Sequence, residues 1–167
     1  MQIGEMSLLE EEIIRLLVES GRTLAVAESC TGGLIGHRLT QVTGSSAAFL
    51  GGVIAYHNSV KEKILGVPAE VLEREGAVSE AAALAMAQGA RRLLAADVAL
   101  AVSGIAGPTG GTAEKPVGTT YVALAAAPDV LICERHVWQG GREENKESSA
   151  TAALSLLRRW LEGTSAR

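Results

Sequence analysis

Ser29 stands in the run Ala27-Glu28-Ser29-Cys30-Thr31-Gly32-Gly33, after an apolar segment and before a helical pattern. A serine at the carboxyl end of a strand and the first turn of a helix sits among backbone N–H groups without intrahelical partners. The helix dipole there favours negative charge, so the turn can bind an anion or steady an oxyanion. Gly32 and Gly33 would let a ligand reach the main chain without meeting a Cβ, but glycines there also serve as plain helix-entry punctuation. On its own the motif fits a functional turn and an ordinary one equally well. Cys30 is a rival nucleophile, intrinsically more reactive, although adjacent residues at a turn point differently and small buried cysteines are usually inert packing.

Two further segments could meet Ser29 at one edge of a sheet. In Tyr56-His57-Asn58-Ser59-Val60-Lys61, the lysine falls in the first turn of a helix that follows a strand. Positive charge is disfavoured at that end of a helix. Surfaces carry many such lysines; a serine partner would give this one a task. The third segment, Ser103–Gly111, is too rich in glycine to be regular structure. Its Gly104, Gly107 and Gly110 are spaced GxxGxxG, which is neither the dinucleotide fingerprint nor a P-loop. No GxSxG occurs, so an α/β-hydrolase nucleophile elbow is excluded. The loop's exposed N–H groups beside Ser103 would suit a phosphate nest.

The elements that must hold these segments follow from periodicity. Met6, Leu9, Ile13, Leu16 and Leu17 recur at helical spacing until Gly21, with Ser7 and Glu10 spaced as a capping box. A strand over Thr23–Ala27, the Ser29 turn and a helix from Gly33 to Val42 come next. Phe49 to Tyr56 has strand character, with Gly51 and Gly52 marking a bulge or a close backbone contact. Short helical pieces cover Val60–Leu65 and Ala69–Glu75, and Ser79 with Glu80 opens an alanine-rich helix reaching Ala95. The strand Asp97–Ser103 is almost wholly apolar and so is expected to be buried on both faces. Val117–Ala126 and Val130–Trp138 predict a hairpin, and Glu143 to Leu161 a final helix, followed by an expendable tail from Gly163. The expected fold is a three-layer α/β/α sandwich around a mixed, mostly parallel sheet, in which ligands gather outside the carboxyl ends of the strands.

Bulk composition narrows the class. The chain of 167 residues is long enough for one domain with a core, and 47% apolar with 3% aromatic content means that Ala, Val, Leu and Ile must build it. Net charge is −4 and no basic stripe occurs, which argues against nucleic-acid binding. Cys30 and Cys133 form no CxxC pair and do not cluster with His37, His57 or His136, so no metal site is expected. Without a signal-peptide pattern or a membrane-length apolar run, the expected location is cytoplasmic, with no membrane partner.

Taken together, Ala27–Gly33, Gly51-Gly52-Val53-Ile54-Ala55-Tyr56 with Asn58 and Lys61, Gly76-Ala77-Val78-Ser79, Ser103-Gly104-Ile105-Ala106-Gly107-Pro108 and Lys115-Pro116-Val117-Gly118-Thr119 resemble, in order, the motifs of the CinA carboxyl-terminal domain family. The resemblance covers Leu9 to Leu161. That family includes the PncC-type deamidases, which convert nicotinamide mononucleotide to nicotinate mononucleotide and ammonia in pyridine nucleotide recycling. Membership implies an amidohydrolase that needs neither metal nor organic cofactor, acts on a small nucleotide substrate and forms a homodimer. Longer relatives carry an additional amino-terminal domain resembling molybdopterin-binding proteins, for which 167 residues leave no room.

The resemblance also implies roles. Ser29 is the nucleophile, Lys61 the general base and Tyr56 a group that could relay a proton. Lysine ordinarily titrates near pH 10.4, so burial or a neighbouring cation such as Arg142 must lower it. Glu28, Thr31, Gly32, Gly33, Ser103, Gly104, Ala106, Gly107, Thr119 and Arg142 are the expected substrate-binding residues, with backbone N–H groups of Thr31–Gly33 forming an oxyanion hole and Arg142 meeting phosphate. Glu28 fits a structural capping role equally well. One stretch departs from the family: Gly140-Gly141-Arg142 and then Lys146 stand where it often has Gly-Asp-Arg and a second arginine. That departure leaves an altered-substrate amidohydrolase, or a non-catalytic nucleotide-binding relative, as alternatives.

Overall fold

A computed structural model describes the backbone of residues 3–165. The elements are α1 (Ile3–Glu19), β1 (Leu24–Glu28), α2 (Leu34–Thr40), β2 (Phe49–Ile54), α3 (Asn58–Lys63), α4 (Ala69–Arg74), α5 (Glu80–Leu94), β3 (Val98–Gly104), β4 (Thr119–Ala126), β5 (Val130–Val137) and α6 (Arg142–Ser165). Five strands form one sheet in the order β2-β1-β3-β4-β5. β2, β1 and β3 pair in parallel, while β4 runs antiparallel to β3 and to β5. The sheet is therefore mixed with a parallel core, covered by helices on both sides, as the strand–helix alternation predicts.

The two faces differ in side-chain size. Leu24, Val26, Val98, Leu100, Val102, Val122 and Leu124 meet α1, α2 and α6 in one core, whereas Ala25, Ala27, Ala99, Ala101, Ala123 and Ala125 meet α5 in the other. Side chains alternate across a strand, so this split follows directly from the run of alternating large and small residues. A face of methyl groups lets an alanine-rich helix approach closely. α5 also packs closely against the turn that follows α3: a Cβ on Gly89 would lie 1.9 Å from the Leu65 carbonyl oxygen.

Several expectations shift. α1 is already helical at Ile3, so Ser7 lies inside it rather than at its start; the side chains of Met6 and Ser7 lie outside the described residues. Glu10, the other half of the expected capping box, is buried and pairs with Arg38 of α2. α6 continues through Ser165, so the segment expected to be a loose tail from Gly163 is helical, and Thr164 accepts a hydrogen bond from Arg22 at 2.9 Å. Ala166 and Arg167 lie outside the described residues. Gly52 answers to the predicted close contact, since a Cβ there would lie 2.4 Å from Val26 Cγ2. Among the described residues, no helix is long and apolar enough to cross a membrane.

Candidate active site

β1 ends at Glu28 and β2 at Ile54, side by side and parallel. The ladder extends one step beyond β2, because the Ala55 amide donates to the Glu28 carbonyl at 2.7 Å. This pins the chain before α3 against the Ser29 turn. α3 then folds back: the His57 ring accepts from the Ser59 amide at 3.1 Å as an N-cap, which places Lys61 on the inner side of the helix.

Lys61 is 1% exposed and is among the largest fully buried side chains. Its Nζ donates to Ala55 O at 2.7 Å and to Tyr56 O at 3.3 Å, and lies 3.0 Å from Ser29 Oγ. Residues 32 positions apart are thus brought into direct contact by the parallel pairing of β1 with β2. Burial pushes the Lys61 amine below its ordinary 10.5, with Cys30 a smaller opposing influence. Arg142, the cation suggested by the sequence, is not a source of that shift. A neutral amine at this position can give its two N–H bonds to the two carbonyls and leave its lone pair for the Ser29 hydroxyl.

The turn after Ser29 is held from below. Glu28 is 2% exposed, and its carboxylate accepts from Thr31 Oγ1 at 2.6 Å, the Ile35 amide at 2.9 Å and the Gly36 amide at 3.1 Å. Both oxygens accept from the protein, Oε1 twice and Oε2 once, so Glu28 caps the first turn of α2. Gly32 and Gly33 adopt φ of 59° and 103°, the left-handed conformation that glycine enters without a Cβ penalty. The Gly32 amide is consumed within the turn, donating to Ser29 O at 3.1 Å. Among the described residues, the amides of Cys30, Thr31 and Gly33 donate to no backbone carbonyl. Relative to the expected set Thr31–Gly33, Cys30 takes the place of Gly32.

Cys30 packs away from this point. A Cβ on Gly104 would lie 3.1 Å from Cys30 Sγ, so the thiol fills space against β3. Burial pushes its pKa up to about 11, which keeps it a neutral thiol and a poor nucleophile at neutral pH.

The glycine loop and the start of α6 close the same edge of the sheet. Ser103 donates to Ala77 O at 2.6 Å and Thr119 to Pro116 O at 2.6 Å; both are buried, and their hydroxyl protons brace the loop. Arg142 reaches across with Nη1 on Gly107 O at 2.7 Å and Nη2 on the Tyr56 hydroxyl at 3.2 Å. Tyr56 is 63% exposed; its carbonyl accepts from Lys61 and its hydroxyl from Arg142. Asn145 escaped the sequence reading. It is buried, donating to Ala106 O at 2.9 Å and accepting from the Gly140 amide at 3.1 Å, and so ties α6 to the loop. Its signal was present: a polar residue on the same helical stripe as Ser149 and Ala153. Lys146 also reaches the turn, with Nζ 3.8 Å from where a Gly32 Cβ would stand, while Gly141 faces open space.

The model of the CinA C-terminal domain matches residues 6–161. This chain belongs to the CinA C-terminal domain family. A CinA-like protein of Desulfotalea psychrophila is 54% identical over 145 residues, covering 87% of this chain and 35% of its own length. One from Parasynechococcus marenigrum is 53% identical, covering 92% and 37%. The chain therefore spans just over a third of these curated relatives. Among solved structures, the competence/damage inducible protein CihA from Agrobacterium tumefaciens superposes with a TM-score of 0.92 at 40% identity, covering 97% of this chain and 98% of that one. A CinA superfamily protein from Escherichia coli superposes at 0.88 with 30% identity, covering 95% and 94%. The CinA family thus supplies the fold.

Proposed function

We propose that this CinA-family chain is an amidohydrolase that converts nicotinamide mononucleotide to nicotinate mononucleotide and ammonia, as part of pyridine nucleotide recycling. The observation that carries the reading is the buried Lys61 Nζ at 3.0 Å from Ser29 Oγ, an amine with a lowered pKa beside a hydroxyl. Ser29 attacks the carboxamide carbon while neutral Lys61 takes the hydroxyl proton. The tetrahedral oxyanion meets the free amides of Cys30, Thr31 and Gly33, a type of contact worth about 3–4 kcal/mol per donor. Lys61 then gives its proton to the departing ammonia. Water, deprotonated in turn by Lys61, attacks the acyl carbon, and Lys61 returns that proton to Ser29 Oγ as the ester bond breaks. Arg142 and the amides of the Ser103–Gly111 loop receive the phosphate, and the Tyr56 hydroxyl, which accepts from Arg142 at 3.2 Å, steadies that side chain. The cycle uses no metal or organic cofactor and is expected in a cytoplasmic homodimer.

The test is purified protein with nicotinamide mononucleotide, nicotinamide and unrelated small amides, following ammonia and the acid product. Selective release from the mononucleotide supports the reading; none from it sinks the substrate assignment. A second reading is favoured by Gly141, which leaves open space, and by Lys146, which lacks an arginine's fork: a relative that binds the nucleotide without turnover. It would show binding of the mononucleotide with no ammonia.

A further inference from the structure

Glu28 is a buried carboxylate directly before the proposed nucleophile, and the mechanism above gives it no proton to move and no substrate to touch. Its three donors all come from the next eight residues: the Thr31 hydroxyl, the Ile35 amide and the Gly36 amide. The backbone of Glu28 is fixed independently, since its carbonyl accepts from Ala55 and the following Ser29 amide donates to Val102 O at 3.0 Å. One residue is thereby anchored to both neighbouring strands through its main chain and to the first turn of α2 through its side chain. The segment Ser29–Gly33 is clamped at both ends. The amides of Cys30, Thr31 and Gly33, which donate to no backbone carbonyl, lie within that clamp.

Resting on the Ser29–Lys61 reading, we propose that Glu28 is a positioning residue that holds Ser29 Oγ and the free amides of its turn in the geometry for acyl transfer. Glutamine in place of Glu28 keeps the volume but presents an NH2 to at least one of the three donors, so one clamp point becomes donor against donor. Displacement of reacting groups by about 1 Å can cost about a hundredfold in rate. The loss falls on kcat, because Glu28 acts through the turn that carries Ser29.

A fluorophosphonate probe tests this without the natural substrate: Ser29 Oγ bonds to phosphorus, fluoride leaves with the P–F electron pair, and the hydroxyl proton passes to Lys61. Labelling of the full chain, followed by mass spectrometry of the Ser29 peptide, is compared for wild type, Glu28→Gln, Thr31→Val and Thr31→Ser, alongside kcat and KM. Labelling and kcat fall by about tenfold or more in Glu28→Gln and by a smaller factor in Thr31→Val, KM is unchanged, and Thr31→Ser restores the rate. If Glu28→Gln does not fold, the Thr31 pair decides. Rates within about twofold of wild type in Glu28→Gln and Thr31→Val would overturn the proposal and leave Glu28 a cap. Wild type labelled at Ser29 yet inert toward the mononucleotide would sink the substrate reading while the variant comparison still decides the role of Glu28. Failure of wild type to label would overturn both.

Discussion

Replacing Lys61 by methionine removes the one buried amine of the dyad while keeping an unbranched chain of similar length, and its effect on stability should depend on pH in a calculable way. Lys61 is 1% exposed, and burial lowers its pKa in the folded state below the ordinary 10.5 that it regains on unfolding. Between those two values the unfolded chain holds a proton that the folded chain does not. Unfolding then takes up a proton, so wild-type stability rises with pH through that window. The slope for one proton is at most about 1.4 kcal/mol per pH unit. Methionine has no such proton, and the other titrating groups are common to both proteins, so the difference in unfolding free energy isolates Lys61. Urea unfolding of the two proteins at half-unit steps from about pH 6 to about pH 10.5 provides the measurement. Wild type should gain on Lys61→Met as pH rises. In the same window, kcat/KM for ammonia release should rise with pH as the amine becomes a free base. A flat difference, or one that falls with pH, would mean that the amine is charged in the folded protein and unfit to act as a base.

Other consequences follow from particular contacts. Cys30→Ala should keep ammonia release within about tenfold of wild type, and Cys30 should resist iodoacetamide in the native protein, since burial pushes its thiol up to about 11. Gly89→Ala should cost at least about 2 kcal/mol in urea unfolding, because the new Cβ would stand 1.9 Å from the rigid Leu65 carbonyl; a neutral result would mean that α5 packs less closely than described. Arg38→Met should cost about 3–5 kcal/mol by leaving Glu10 charged and unpaired in the core, and a loss below about 1 kcal/mol would remove the pair from any stabilising role.

The layers of the fold were legible because the chain states them twice, in periodicity and in residue size. Alternation of Leu and Val with Ala along β1, β3 and β4 marks both faces of the sheet, and Ser79 caps α5 where expected, accepting from Ala82 at 3.2 Å. Local signals misled where a distant partner intervened. Glu10 reads as half of a capping box, but Arg38 of a later helix draws it into the core. Glu28 reads as a substrate ligand or a cap until its two oxygens are followed to Thr31, Ile35 and Gly36. The contact of Ser29 with Lys61 has no signature in spacing, since it depends on the parallel register of β1 with β2 and on the reversal at His57. Motif order supplied that pairing where periodicity was silent. The bridge from Arg142 to Tyr56 and Gly107 depends on the approach of α6 to the glycine loop, which no local pattern encodes.

As the proposed nucleophile of an amidase acting on nicotinamide mononucleotide, Ser29 should be indispensable to turnover. The most direct measurement is ammonia release from that substrate by wild type and by Ser29→Ala, with the folded state of the variant checked by circular dichroism. Wild type should turn the substrate over and Ser29→Ala should lose at least about a thousandfold, comparable to removal of a nucleophile elsewhere. Turnover by Ser29→Ala within about tenfold of wild type would contradict that role for Ser29.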